Sequence, residues 1–263
     1  MSSNDIDFPP SGEADPRDEK PQFVLPLVVR IERAAPPART DALETSARAV
    51  LEILADERSV GEGEWARVME DWQDARIRKV VRRARGAEWR RAEGLPGLTV
   101  TGSGTDPGTD AGTATDADAG TDTAAAPAAE VRVFPPVLLD AWPKELAKLQ
   151  VSGTDLDDPA EPGPVPADAA VLWLNPALDM SAGKTMAQTG HGAQLLWWAL
   201  SDADRAAWRT AGFPLAVRTA DPARWARLTA SGLPVVRDAG FTEIAPGSAT
   251  VVSEFPALGL RAE

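Results

Sequence analysis

Residues 169–200 read AAVLWLNPALDMSAGKTMAQTGHGAQLLWWAL, and the order of apolar, small and polar positions in this stretch sets what can be built around it. The apolar run Ala169–Leu174 is short and ends before Asn175-Pro176, as a buried strand does. Ser181 stands where a helix N-cap is wanted, and no breaker follows until about Leu200. Along that helix Lys184, Gln188 and His191 fall at i, i+4 and i+7 and share a narrow stripe. Met186, Ala193, Trp197 and Leu200 lie on the opposite side, the predicted buried face. Gly183, Ala187 and Gly190 form a third stripe of small residues that admits close approach of a strand or a ligand. A cation, an amide and an imidazole thus share the face away from the core stripe, and the helix N-terminus favours anions.

Downstream, Ser201 and Asp204 form a capping box for a second short helix. Leu215–Thr219 is strand-like. Asp221-Pro222 opens another helix, which Gly232 ends, and Val235–Arg237 and Ala249–Ser253 supply two more strands. The order β-α-α-β-α-β-β predicts an α/β fold, with a four-stranded mixed sheet flanked by helices.

Upstream, the pattern changes. Thr154–Asp168 carries four prolines among small and acidic residues, and we read 151–168 as a linker ahead of a domain at 169–256. Thr101–Glu130 holds only Thr, Gly, Asp, Ser, Ala, Pro and a single Glu, too little apolar surface to offset ordering entropy, and is expected to be a disordered insert. It interrupts a smaller α+β region at 21–150. There Phe23–Ile31 reads as a strand, and Leu43, Ala47, Val50 and Leu54 mark a helical stripe. A second helix is expected over about Glu62–Arg85, a strand at Val131–Phe134, and a short helix around Pro143–Leu149. Residues 1–20 form an acidic, proline-punctuated tail.

The 263 residues carry 40 acidic and 27 basic side chains, a net charge of −13. The tail, the insert and the linker hold the acidity, which excludes a uniformly basic nucleic-acid binder but leaves a local basic surface open. One is present: Arg76–Arg91 has eight basic residues against Glu88 alone, with Trp89 interleaved. Such a run is the footprint expected of phosphate-backbone binding, and equally of a solvated helix face. With no cysteine and one histidine, disulfide frameworks, thiolate zinc sites and multi-histidine metal sites are excluded. No apolar run approaches the length of a membrane span, and the protein is expected to be cytoplasmic. Gly183-Lys184-Thr185 looks like the end of a phosphate-binding loop, but Leu178 occupies the position where that loop requires its first glycine.

The run Met180–His191 resembles the helix-opening motif of the type II peptidyl-tRNA hydrolase family. The later run Asp238-Ala239-Gly240-Phe241-Thr242-Glu243-Ile244-Ala245-Pro246-Gly247-Ser248-Ala249-Thr250-Val251 resembles that family's second signature. With the elements between them they cover about residues 168–256. The resemblance implies an α/β domain, commonly dimeric, that hydrolyses the ester between peptide and tRNA without a metal or organic cofactor. On this likeness Lys184, His191, Asp238 and Thr242 are the candidate catalytic residues, while Gln188 and Thr250 contact substrate. Arg82, Arg83 and Arg85 are the candidate phosphate contacts. Phe241 departs from the family pattern, where arginine is usual, and Gly192 stands where alanine is usual.

Ester hydrolysis needs a positioned water, a proton acceptor, and positive or hydrogen-bonding groups where the carbonyl oxygen gains charge. Asp238 is expected to orient or deprotonate the water and Lys184 to stabilise the developing charge or hold the terminal phosphate. His191 serves either as the base or as proton donor to the leaving ribose oxygen. The alternative reading is a catalytically silent RNA-binding or interaction protein that retains the fold.

Overall fold

The computed structural model describes residues 17, 20–104, 126–238 and 243–259. Most of the expected tail at 1–20 and the centre of the expected insert at 101–130 therefore lie outside the described residues. Two sheets account for the rest. The first half contains β1 (Phe23–Arg30), α1 (Arg39–Ala55), α2 (Ala66–Gln73), β2 (Arg78–Ala84), α3 (Gly86–Glu93), β3 (Leu98–Thr101), β4 (Glu130–Val133), β5 (Val137–Leu138) and α4 (Lys144–Ala147). The second contains β6 (Ala170–Leu174), α5 (Ala182–Ala199), α6 (Asp202–Thr210), β7 (Leu215–Thr219), α7 (Pro222–Thr229), β8 (Val235–Arg237) and β9 (Ala249–Glu254).

In the second half the predicted plan holds: a four-stranded mixed sheet in the order β7-β6-β9-β8, with β6 parallel to β7 and antiparallel to β9. The caps sit where the sequence puts them. Ser181 Oγ accepts from Lys184 N, Ser201 Oγ from Asp204 N, and Asp221 Oδ1 from Ala223 N and Arg224 N.

The first half repeats this plan. Its sheet runs β2-β1-β4-β3, with β1 parallel to β2 and antiparallel to β4, and β5 pairs with the end of β1. Leu27 stands between Val81 and Val133 as Leu172 stands between Val217 and Ser253. On the outer pair Val100 faces Val131 as Val236 faces Val251. Arg39-Thr40 opens α1 at the same distance along the chain from Leu25 as Lys184-Thr185 stands from Ala170. The α+β region thus carries a second sheet of the same connectivity.

Three expectations are corrected here. The helix predicted over Glu62–Arg85 is two elements: α2 ends at Gln73, Ile77 turns the chain at a φ of 46°, and Arg78–Ala84 is strand β2. The helical stripe Trp65, Met69, Trp72 stops there, and the strand carrying the β-branched pair Val80-Val81 pairs along its length with Val24–Arg30 of β1, a tertiary preference that overrides local period. The flanks of the insert are ordered: Thr101 and Glu130 are paired strand residues, and Gly102 N donates to Ala129 O. The segment at 151–168 is a strap, not a loose linker. Leu156 is buried, Thr154 Oγ1 accepts from Gly183 N at 2.9 Å, and the Asp158 carboxylate takes both the backbone N–H and the hydroxyl of Thr40 at 2.7 Å. Ala38 gives α1 no side-chain cap, so Asp158 supplies the missing acceptor from across the strap.

The halves share one hydrophobic core. Leu27, Val50, Leu51, Met69 and Trp72 belong to the same buried cluster as Leu172, Met186, Leu196 and Phe213. Helices α1 and α5 pack together at its centre, and each also lies against the other half's sheet, α1 on β7 and α5 on β2. Glu44 of α1 accepts from Val217 N and from the Arg218 guanidinium, both at 3.0 Å, covering part of the edge of β7. Close approach depends on Gly190, where a Cβ would come within 3.0 Å of Val50 and 3.2 Å of Lys79. The stripe of small residues therefore receives the first half, and α5 is buried round most of its circumference, with Thr185, Gln188, Thr189 and Gln194 all enclosed. The single buried face expected from Met186, Ala193, Trp197 and Leu200 is corrected to that extent, and Trp197 is only half-buried.

Candidate active site

The two separated stretches of the second half meet at the start of α5. Lys184 Nζ lies 2.6 Å from Asp238 Oδ1, and Gln188 Nε2 donates to the same oxygen at 2.9 Å. Thr250 Oγ1 donates to Gln188 Oε1 at 2.7 Å, which turns the amide so that its N–H side faces Asp238. The carboxylate stands just beyond β8, where Asp238 N donates to Ser248 O and Asp238 O accepts from Gly247 N, closing the base of the 238–248 loop. Lys184 and Asp238 are 11% and 8% exposed, so the pair is largely out of water and truncating either partner strands the other's charge. Glu243, on the far side of the loop, accepts from Ser181 N and Ser181 Oγ at 2.9 and 2.8 Å, a carboxylate placed at the positive end of α5.

His191 belongs to a second cluster two turns along the helix. Its Nδ1 lies 3.2 Å from Nζ of Lys79, which comes from β2 of the first half. Lys79 Nζ also donates to Gln194 Oε1 and, at 3.4 Å, to Ile77 O, and sits 4.8 Å from the centre of the Trp72 ring. Burial pushes the imidazole well below the ordinary histidine range, and the charges of Lys79 and then Lys184 push it further the same way. Burial likewise pushes the Lys79 amine well down. Both clusters line a single cleft of about 950 Å³ between β2 on one side and α5 with β8 on the other. Arg76, Arg78 and Lys79 line it from the first half, and Lys184, Gln188, His191 and Asp238 from the second.

Thr242 and Phe241 lie outside the described residues. Thr250 contacts Gln188 inside the wall and is fully buried, an indirect place in the site. Arg82, Arg83 and Arg85, the candidate phosphate contacts, do not line the cleft. The Arg82 guanidinium donates to Leu149 O and lies over the Trp142 ring, and Arg83 donates to Ser152 O and to Gln150. Arg85 precedes α3, where its charge reaches Glu32. Of the three, Arg83 reaches the strap, at Ser152, while Arg82 and Arg85 make their contacts within the first half. Lys79 is the site residue that a helical reading concealed: on a strand its alternation with Val81 puts it on the buried face.

The first half has no second copy of the constellation. Arg39 occupies the position of Lys184, Leu43 that of Gln188, Ser46 that of His191, Gly102 that of Asp238 and Glu130 that of Thr250. The place of the missing carboxylate is filled from within: Asp41 accepts from Ser103 N, Gly104 N and Ala129 N, and a Cβ on Gly102 would lie 2.4 Å from its oxygens.

Among the described residues, no cluster of three or more His, Asp or Glu side chains is placed to hold a metal ion, and no helix is long and apolar enough to cross a membrane. Fold and site together define an α/β domain with a cation, amide and carboxylate chain at the opening of its central helix. Residues 169–259 match the family model of peptidyl-tRNA hydrolase PTH2, the same region that carries the two motifs. No curated protein matches the chain.

Proposed function

We propose that the chain hydrolyses the ester linking a peptide to tRNA, releasing free tRNA in the course of translation in the cytoplasm. The observation that carries this reading is the Lys184–Asp238–Gln188–Thr250 chain, drawn from two distant stretches to the wall of one cleft in the region that matches the hydrolase family. Asp238, fixed at Oδ1 by two donors, aims a water at the ester and receives its proton. Lys184, in the first turn of α5, offsets the charge that develops on the carbonyl oxygen. Thr242, a residue of the second motif, adds a hydroxyl to hold water or substrate. Arg76 and Arg78, which line the cleft, take the phosphate contacts that the basic run suggested. Both walls of the cleft come from one chain, so a homodimer is not required to complete it.

The test is single-turnover hydrolysis of a model peptidyl-tRNA by the full-length protein and by Asp238→Asn. The parent should release peptide, and the variant should lose about 10²–10³-fold in rate while keeping its fold. A parent that binds the tRNA without cleaving it would instead support the silent RNA-binding reading.

A further inference from the structure

Of the polar groups that the first half brings to the cleft, outside the hydrolase match, Lys79 is the one in contact with His191. We propose that Lys79 is a positioning residue of the site: its ammonium donates to Nδ1 of His191, which leaves the ring proton on Nε2 and makes the imidazole a hydrogen-bond donor to the cleft. The assignment of Nε2 to a substrate oxygen rests on the hydrolase reading; the tautomer does not.

Four electron-rich partners surround the Lys79 nitrogen. Ile77 O, Gln194 Oε1 and His191 Nδ1 match the three N–H bonds of an ammonium, and the face of Trp72 attracts a cation. Burial opposes the charge, and these partners are what the fold sets against it. The charged groups that reach His191 are Lys79 from β2 and Lys184 on its own helix, the latter paired with Asp238 from the end of β8. Burial and then these two lysines all favour the neutral form of the ring. With Nδ1 occupied as an acceptor, a neutral ring has no free lone pair with which to take a proton from water. A neutral ring cannot give up its Nε2 proton either, so neither proton-transfer role remains, and His191 acts by a hydrogen bond from Nε2 to the ribose oxygen.

The first half therefore acts as a built-in partner. Its own equivalent site is closed by Asp41, while Lys79 of its strand β2 reaches His191 in the other half.

His191 is the chain's only histidine, so imidazole-¹⁵N labelling of the full-length protein gives one ring to follow. At pH 7 the ring should be neutral with its proton on Nε2, and its titration midpoint should lie below the ordinary value of about 6.5. In Lys79→Met the midpoint should rise and the two tautomers should mix, whereas Lys79→Arg, which keeps a cationic donor, should retain the parent tautomer. With peptidyl-tRNA, Lys79→Met should lower kcat about tenfold with little change in KM. A parent ring protonated at Nδ1, or charged at pH 7, overturns the proposal without any variant; so does a tautomer and midpoint unchanged in a folded Lys79→Met protein. Absence of turnover in the parent would remove the hydrolase reading and leave the tautomer result to stand or fall alone.

Discussion

The two halves share strand order, strand direction and the placement of a long helix against the sheet, yet they differ in what occupies the opening of that helix. In the second half it holds Lys184, Gln188 and a facing Asp238 beside a cleft. In the first it holds Arg39 and Leu43, faces Gly102, and is sealed by the carboxylate of Asp41. A common backbone plan is thus separable from chemistry. The plan is set by buried apolar residues at equivalent strand positions, and the chemistry by a few polar substitutions at the helix start and the loop after the third strand of each half.

The comparison breaks most completely if the halves are parted. Because α5 buries Thr185, Gln188, Thr189 and Gln194 against the rest of the molecule, a fragment of residues 168–263 produced alone should lack a cooperative thermal transition. A fragment that melts cooperatively and shows dispersed amide resonances would mean that the shared core is dispensable.

A smaller but still large effect is expected at the plug of the first half. Asp41→Ala leaves three backbone donors at Ser103, Gly104 and Ala129 without their acceptor and should cost about 3 kcal/mol or more in denaturant melts. Turnover per folded molecule should not change. Next comes the seam: Gly190→Ala puts a methyl 3.0 Å from Val50, and should destabilise by about 1–2 kcal/mol.

The smallest effect is a pH slope. The unfolded chain binds a proton at His191 near the ordinary value of about 6.5, and the folded chain does so only at lower pH. Its contribution to stability is therefore fully present above that value and is lost as pH falls through it. Chemical denaturation between pH 7 and 5 should show this loss, reduced in His191→Gln, a substitution that removes the titrating group.

Much of the second half was legible in its residues. Ser181, Ser201 and Asp221 mark helix starts by capping chemistry, and the apolar runs at Ala170–Leu174 and Leu215–Thr219 are bounded by turn residues. The two motifs also single out Lys184, Gln188, Asp238 and Thr250, which the fold joins by hydrogen bonds. The first half was less so. Arg78–Ala84 carries so many arginines that its strand alternation is masked, and only pairing with β1 along its length reveals it. The prolines and acids of 154–168 suggest a solvated linker, because nothing local shows that Asp158 caps a helix far away in sequence. Lys79 was hidden for both reasons: a long basic side chain in a basic run gives no sign of burial until the opposite half is in place.

The most direct test of one working site on two equivalent frames is a paired kinetic measurement on their equivalent cations, Lys184→Met and Arg39→Met, with peptidyl-tRNA as substrate. We predict a fall of about 10²–10³-fold for Lys184→Met and a change within about twofold for Arg39→Met. Equal losses in the two variants, or none in either, would contradict the assignment of the chemistry to the second half.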